Sequence, residues 1–129
     1  MSAQRWWVPP SEQPRTLPVN DHGQIISYYA YEVDGRARGA VVLLHGFPEC
    51  PLAWFGVVEA LAEECKVDIV LPFLRGYGPY SNSYDECVQT YYIDLVCDDI
   101  AAIVRKHKED RGVDKVVVVG HDWGGIVAQ

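Results

Sequence analysis

Residues 116–125 read VVVVGHDWGG, four consecutive valines running into a turn of glycine, histidine, aspartate, tryptophan and two further glycines. A short, unbroken apolar run is the pattern of a strand buried on both faces, as in a parallel sheet; a strand with one wet face would alternate. The same pattern occurs upstream at 40–45 (AVVLLH) and 67–71 (VDIVL). Between these runs the periodicity changes. Trp54, Val57, Val58, Leu61, Ala62 and Cys65 recur at spacings of 3 and 1, and Ile93, Val96, Cys97, Ile100, Ile103 and Val104 at 3, 1 and 3. Both are the apolar stripes of amphipathic helices. The basic cluster Arg105-Lys106-His107-Lys108 suits the carboxyl end of the second helix, where cations complement the helix dipole. A third helix is expected after Gly125. Strands alternating with helices imply an α/β fold of parallel βαβ units with helices on both faces.

Further upstream, 24–33 (QIISYYAYEV) is rich in β-branched and aromatic residues and bounded by His22-Gly23 and Asp34-Gly35, a strand between two turns. Residues 1–20 hold four of the eight prolines and read as an irregular arm, with its two tryptophans, Trp6 and Trp7, laid on a domain at 21–129.

In parallel sheets, ligands bind beyond the carboxyl ends of the strands. Three turns fall there: His45-Gly46-Phe47-Pro48, Arg75-Gly76-Tyr77-Gly78 and Gly120-His121-Asp122-Trp123-Gly124-Gly125. A dinucleotide loop needs glycines at relative positions 0, 2 and 5, whereas the last turn has them at 0, 4 and 5 and so does not fit. Two uses of Asp122 remain. It is a cap on the following helix, or it stands at the tip of a strained G-x-Nu-x-G elbow whose flanking glycines remove steric clash. Taken alone, His45 is a histidine that ties its loop together, and Arg75 to Gly78 is a structural turn rather than a substrate contact.

Taken in order, HGFPE (45–49), RGYG (75–78) and GHDWGG (120–125) resemble the motifs of the α/β-hydrolase superfamily, and within it of the epoxide hydrolases. The resemblance covers about residues 21–129. It implies the N-terminal half of an α/β-hydrolase fold, a mostly parallel sheet with flanking helices, truncated just after the nucleophile elbow. Asp122 is then the catalytic nucleophile. The backbone amides of Phe47 and Trp123 form the oxyanion hole, and His45, Gly46, Pro48, Arg75, Gly76, Gly78, Gly120, His121, Gly124 and Gly125 support them. No metal or cofactor is implied. The family usually has Pro-Asp where this chain has Pro72-Phe73, and a serine where it has Tyr80, Ser81 coming one residue later.

The chemistry follows from the residue type. A carboxylate is ionised at pH 7 and needs no base before it attacks. Carboxylates transfer acyl groups poorly but can displace a leaving group from saturated carbon. The ester that results has a carbonyl, and water attacking that carbonyl generates an oxyanion. Epoxides and alkyl halides are the electrophiles that suit such a site. Phe47 stands where haloalkane dehalogenases often have Asn, and Trp123 where fluoroacetate dehalogenases tend to have Arg, so the resemblance favours a small apolar epoxide and water. A haloalkane dehalogenase, or a non-catalytic short form acting as an interaction module, is the alternative. In the family, lid tyrosines, a histidine base and its acidic partner lie downstream of Gln129, and neither His22 nor His107 is placed to substitute. The chain is therefore expected to be part of an enzyme more than twice its length, with VVVVG left as an open sheet edge prone to aggregation.

Composition narrows the classes. With a net charge of -7 the chain repels phosphate backbones, which argues against nucleic acid. No apolar run reaches the ~20 residues of a membrane span, and the first residues lack the apolar core of a secretory signal. Cys50, Cys65, Cys87 and Cys97 form no CxxC or zinc pattern and read as reduced thiols. A cytoplasmic location is expected, with a peroxisomal one left open because such addresses sit at C-termini. Oligomeric state has no signal in the sequence.

Overall fold

The computed structural model describes residues 13–79, 81 and 87–129. Trp6, Trp7 and Tyr80 lie outside the described residues. The element order is β1 (Arg15–Pro18), β2 (Ile25–Tyr31), β3 (Ala40–Leu44), α1 (Phe55–Glu64), β4 (Asp68–Pro72), α2 (Ile93–Arg111), β5 (Val116–Gly120) and α3 (Trp123–Val127). Short 3-10 turns at Pro51–Trp54 and Val88–Tyr91 lead into α1 and α2.

One sheet runs in the order β1-β2-β4-β3-β5, with β3 parallel to both β4 and β5. The chain steps from β3 to β4 on one side and then back past β3 to β5 on the other. Because βαβ crossovers are right-handed, that reversal puts the two crossover helices on opposite faces. Val58 of α1 packs with Leu43, Ile69 and Leu71. Val96, Ile100 and Ile103 of α2 and Val127 of α3 pack with Val42, Leu44, Val70, Ile26 and Tyr28. Alternate residues of each strand thus feed two cores, as the two-residue period of a strand requires.

The sheet is mixed rather than wholly parallel, since β2 pairs antiparallel with β4 and β1 antiparallel with β2. Residues 32–39 are too few for the helical crossover, a dozen residues or more, that a parallel β2 and β3 would need. The expected irregular arm is also corrected: Arg15–Pro18 is a strand, registered Arg15↔Tyr28 to Pro18↔Ile25. Pro18 at its end is tolerated because an edge strand can leave a donor out. The second helix runs beyond the Arg105–Lys108 cluster to Arg111 and stops at Gly112, whose φ of 63° is the left-handed cap. Lys108 and Arg111 are the cations of its last turn.

Valine content alone does not bury β5. Val117 is 57% exposed, and Val118 and Val119 are exposed too. Among the described residues its partner is β3 alone, and no helix covers Val117 and Val119 as α1 covers Leu43.

Two buried ion clusters tie the helices to the sheet. Arg75 Nε and Nη2 donate to the two oxygens of Asp99 at 2.8 and 2.7 Å, and Nη1 donates to the Thr90 carbonyl at 2.5 Å. Burial pushes the Asp99 carboxyl up, and Arg75 offsets this only in part. At the other end of the sheet, Asp68 accepts from Arg111 Nε at 2.8 Å and from the Val33 amide at 2.9 Å, and lies 3.0 Å from His107 Nε2. Burial works to raise the Asp68 carboxyl, yet Arg111, the Val33 amide and His107 together hold it below its ordinary value. Asp99→Ala, which strands a buried guanidinium, is expected to cost about 3–5 kcal/mol in urea unfolding. Asp68 has a lowered folded pKa, so its contribution is complete above the unfolded value of ~3.9 and is lost as pH falls through the folded one. Urea midpoints measured from pH 5 to pH 2 are expected to fall less steeply in Asp68→Asn than in the wild type.

Candidate active site

The register of β3 on β5 aligns Leu44 with Gly120, so the two strands end side by side and release their loops at the same edge. This is the point where the strand order reverses, the crevice in which open parallel sheets hold ligands. The His121 amide continues the ladder by donating to the Leu44 carbonyl at 3.1 Å. The chain then turns through Asp122 at φ 56°, ψ −120°, and α3 begins at Trp123. Asp122 is the one non-glycine residue with positive φ among the described residues. Such a conformation costs of the order of 1–3 kcal/mol and persists only where its surroundings impose it.

The glycines show how it is imposed. A Cβ on Gly120 would run into the Gly124 carbonyl, and one on Gly124 into the carbonyls of Leu44 and His45. These two positions let α3 close down on the strand ends. Gly125 differs from the expectation, since a Cβ there would meet the Gly120 carbonyl at an ordinary 3.5 Å. On the facing loop, a Cβ on Gly46 would stand 2.5 Å from the Asp122 Cβ.

Two amides converge on one carboxylate oxygen. Phe47 N–H donates to Asp122 Oδ2 at 3.0 Å and Trp123 N–H donates to the same oxygen at 2.6 Å. The Trp123 bond alone makes Asp122 the cap of α3, although caps more often bond one or two residues further along. The Phe47 bond comes from a loop 75 residues away and serves no helix. The hydrogen bond from Phe47, then that from Trp123, and the nearby His121 hold the Asp122 carboxyl below its ordinary value. Asp122 is solvent-exposed.

The remaining residues arrange around this pair. His45 is fully buried, with Nδ1 3.0 Å from the Gly46 carbonyl and Nε2 accepting from Leu74 N–H at 3.0 Å. Burial lowers its pKa and keeps it neutral. Phe47 is 70% exposed, and its peptide bond to the exposed Pro48 is cis. Arg75 does not reach Asp122; it is committed to Asp99. Gly76 donates to the Ser81 carbonyl at 2.5 Å with φ 87°, and Gly78 lies against the Phe73 ring. Where the family's aspartate is expected, Phe73 is buried, and Ser81 Oγ accepts from the Ser27 amide at 2.7 Å. His121 is exposed, its Nδ1 3.5 Å from Glu49 Oε2. Trp123 packs against the α2-side core.

Three participants have no role that the motifs assign, although Glu49 and Tyr77 lie within HGFPE and RGYG. Glu49 Oε2 accepts from the Gly46 amide at 3.3 Å; Leu74 contributes only its backbone. Tyr77 sets its ring edge-on to His45 at 4.9 Å and to Phe47 at 6.4 Å. Burial raises the Tyr77 phenol, and the Asp122 charge adds to the effect.

Comparison with known proteins supports the fold. A family model described as alpha/beta hydrolase fold matches residues 39–129. The chain is 34% identical over 110 residues to human Epoxide hydrolase 4, covering 85% of this chain and 28% of that protein. It is 36% identical over 111 residues to the Soluble epoxide hydrolase of a Corynebacterium species, covering 85% and 35%. Among solved structures, an epoxide hydrolase from Vigna radiata superposes with a TM-score of 0.68 at 32% identity, covering 89% of this chain and 32% of that one. The chain therefore spans about a third of the length of the relatives it matches. On a family match that takes in both strand-end loops and the elbow, the chain belongs to the alpha/beta hydrolase fold family, and within it is similar to epoxide hydrolases.

Proposed function

We propose that these residues form the nucleophile and oxyanion hole of a hydrolase that opens an epoxide to a diol through an ester on Asp122. The observation that carries this reading is the asymmetry of the carboxylate, whose Oδ2 takes both amides, from Phe47 and Trp123. Oδ1 is then the oxygen that attacks an epoxide carbon. The C–O bond of the ring breaks, and the departing alkoxide takes a proton from an acid outside the described residues. Oδ1 becomes the ester oxygen and Oδ2 the ester carbonyl. Water attacking Cγ moves negative charge onto Oδ2, which already sits between two donors, so no reorganisation is needed as the charge develops. Collapse returns the carboxylate and releases the diol.

The same hydrogen bonds hold Asp122 ionised for the first step and polarise the ester carbonyl for the second, in which the Cγ–Oδ1 bond breaks and the diol oxygen leaves. The first half-reaction needs the nucleophile and a proton for the alkoxide, which an acid supplies quickly and solvent slowly; the second needs a base for the water. Relatives about three times as long and the open outer edge of β5 support reading this chain as the nucleophile-bearing portion of a longer hydrolase, with acid and base supplied elsewhere. On that reading 21–129 is a partial domain, joined by the arm strand Arg15–Pro18. Its substrate is a small apolar epoxide, with Phe47 and Tyr77 as the aromatic surface beside the nucleophile.

The test is esterification of the folded chain by styrene oxide, followed by mass spectrometry of its peptides. One adduct on Asp122, lost in Asp122→Asn, is expected; an unmodified Asp122 in a cooperatively folded sample would overturn the assignment. An adduct from an alkyl chloride but none from the epoxide would favour the dehalogenase alternative. Gly46→Ala pushes a methyl group against Asp122 and is expected to slow ester formation roughly 100-fold, the penalty of a misplacement near 1 Å. Comparing its rate with the wild type, after matching their melting curves, checks this.

A further inference from the structure

The Phe47 amide sits in an exposed loop, yet must be aimed accurately for either half-reaction. Its direction is set by the Gly46–Phe47 peptide. In a planar trans peptide the carbonyl and the N–H point in opposite directions, so whatever holds the Gly46 oxygen also aims the Phe47 hydrogen. Two donors reach that oxygen, the Glu49 amide at 3.0 Å and His45 Nδ1 at 3.0 Å. The Glu49 amide belongs to the same short turn and moves with it, and the Glu49 side chain reaches out of the turn only to the exposed His121 at 3.5 Å, a weak anchor against the rest of the protein.

His45 can. Its Nε2 accepts from Leu74 N–H, 29 residues away at the end of β4, and its ring lies against Tyr77. An acceptor at Nε2 requires the proton to be on Nδ1, where it meets the Gly46 carbonyl. The turn that offers Leu74 is itself closed, with the Tyr77 amide donating to the Leu74 carbonyl at 3.0 Å. A side chain that merely filled this space would need no nitrogen at either position.

We propose that His45, as its neutral Nδ1–H tautomer anchored on Leu74 and Tyr77, is a positioning residue that holds the Gly46 carbonyl and so aims the Phe47 N–H at Asp122. The RGYG turn thereby supports the oxyanion hole without touching substrate. This deepens the proposed function and rests on Phe47 N–H being an oxyanion donor.

The experiment is NMR of the uniformly labelled full chain. At pH 7 the long-range proton–nitrogen spectrum is expected to show His45 protonated on Nδ1 and bare on Nε2. A proton on Nε2 would overturn the proposal from the wild type alone, whether or not any variant folds. His45→Asn keeps an amide N–H near Nδ1, and His45→Gln keeps only an acceptor near Nε2. With the first, which keeps the Gly46 bond but loses the Leu74 anchor, the Phe47 amide resonance and the Asp122 titration midpoint are expected to move less than they do with the second. With the second, the Phe47 amide is expected to move upfield and the Asp122 midpoint to rise toward the free value of ~3.9. Equal shifts in both variants, or none in either, would mean that the ring is only a core filler. Treating the same wild-type sample with styrene oxide separates the two readings. Failure to esterify Asp122 counts against epoxide opening, whereas the tautomer and the variant shifts decide the role of His45.

Discussion

Parallel pairing of β3 with β5, from Ala40↔Val116 to Leu44↔Gly120, constrains every other part of the site. Two strands that end level release two loops into the same crevice, and neither loop could form an anion site alone. The elbow provides a carboxylate and one amide; the HGFP turn provides the second amide from 75 residues away. A register shift of one residue would turn every side chain of β5 to the other face and carry the elbow out of reach.

Close packing converts that register into chemistry. With carbonyls of β3 where a Cβ of Gly124 would stand, α3 settles directly on the strand ends, and Asp122 is forced to positive φ at the tip. The cost of that backbone is offset by hydrogen bonds made only in this conformation. The same bonds hold the carboxyl below its ordinary value, so the group that is strained is also the group kept ionised. On the facing loop the buried, neutral His45 joins the HGFP turn to the end of β4, and Arg75 joins the RGYG turn to α2 through Asp99. The exposed Asp122 carboxylate rests on two buried polar anchors.

The open side of β5 sets the limit of what the described residues do by themselves. Val117 and Val119 carry the composition of a covered strand, yet they are exposed, because burial is a property of neighbours rather than of a residue type. The arm shows the converse. Pro14 and Pro18 bracket a segment whose local pattern suggests irregularity, and it forms a strand because β2 presents a free edge. Local propensity is a weak prior, and a ready-made ladder partner overrides it.

The α/β class, the five inner elements and Asp122 as the residue at the turn were legible in the sequence, since short valine-rich runs, helical stripes and paired glycines each express a local steric or solvation rule. The motifs also located His45 and Arg75, though with no partner for either. Tertiary structure alone decided that β2 is antiparallel, that helix α2 continues to Arg111, that Gly125 is less tightly required than Gly124, and that Arg75 is spent on Asp99. The motif resemblance had already set the Phe47 amide beside Asp122, whereas tertiary structure alone joined His45 to Leu74. The reason is physical: periodicity records which face of a segment is apolar, whereas hydrogen bonds between backbone groups far apart in the chain leave no mark on residue type, because every residue but proline carries the same amide.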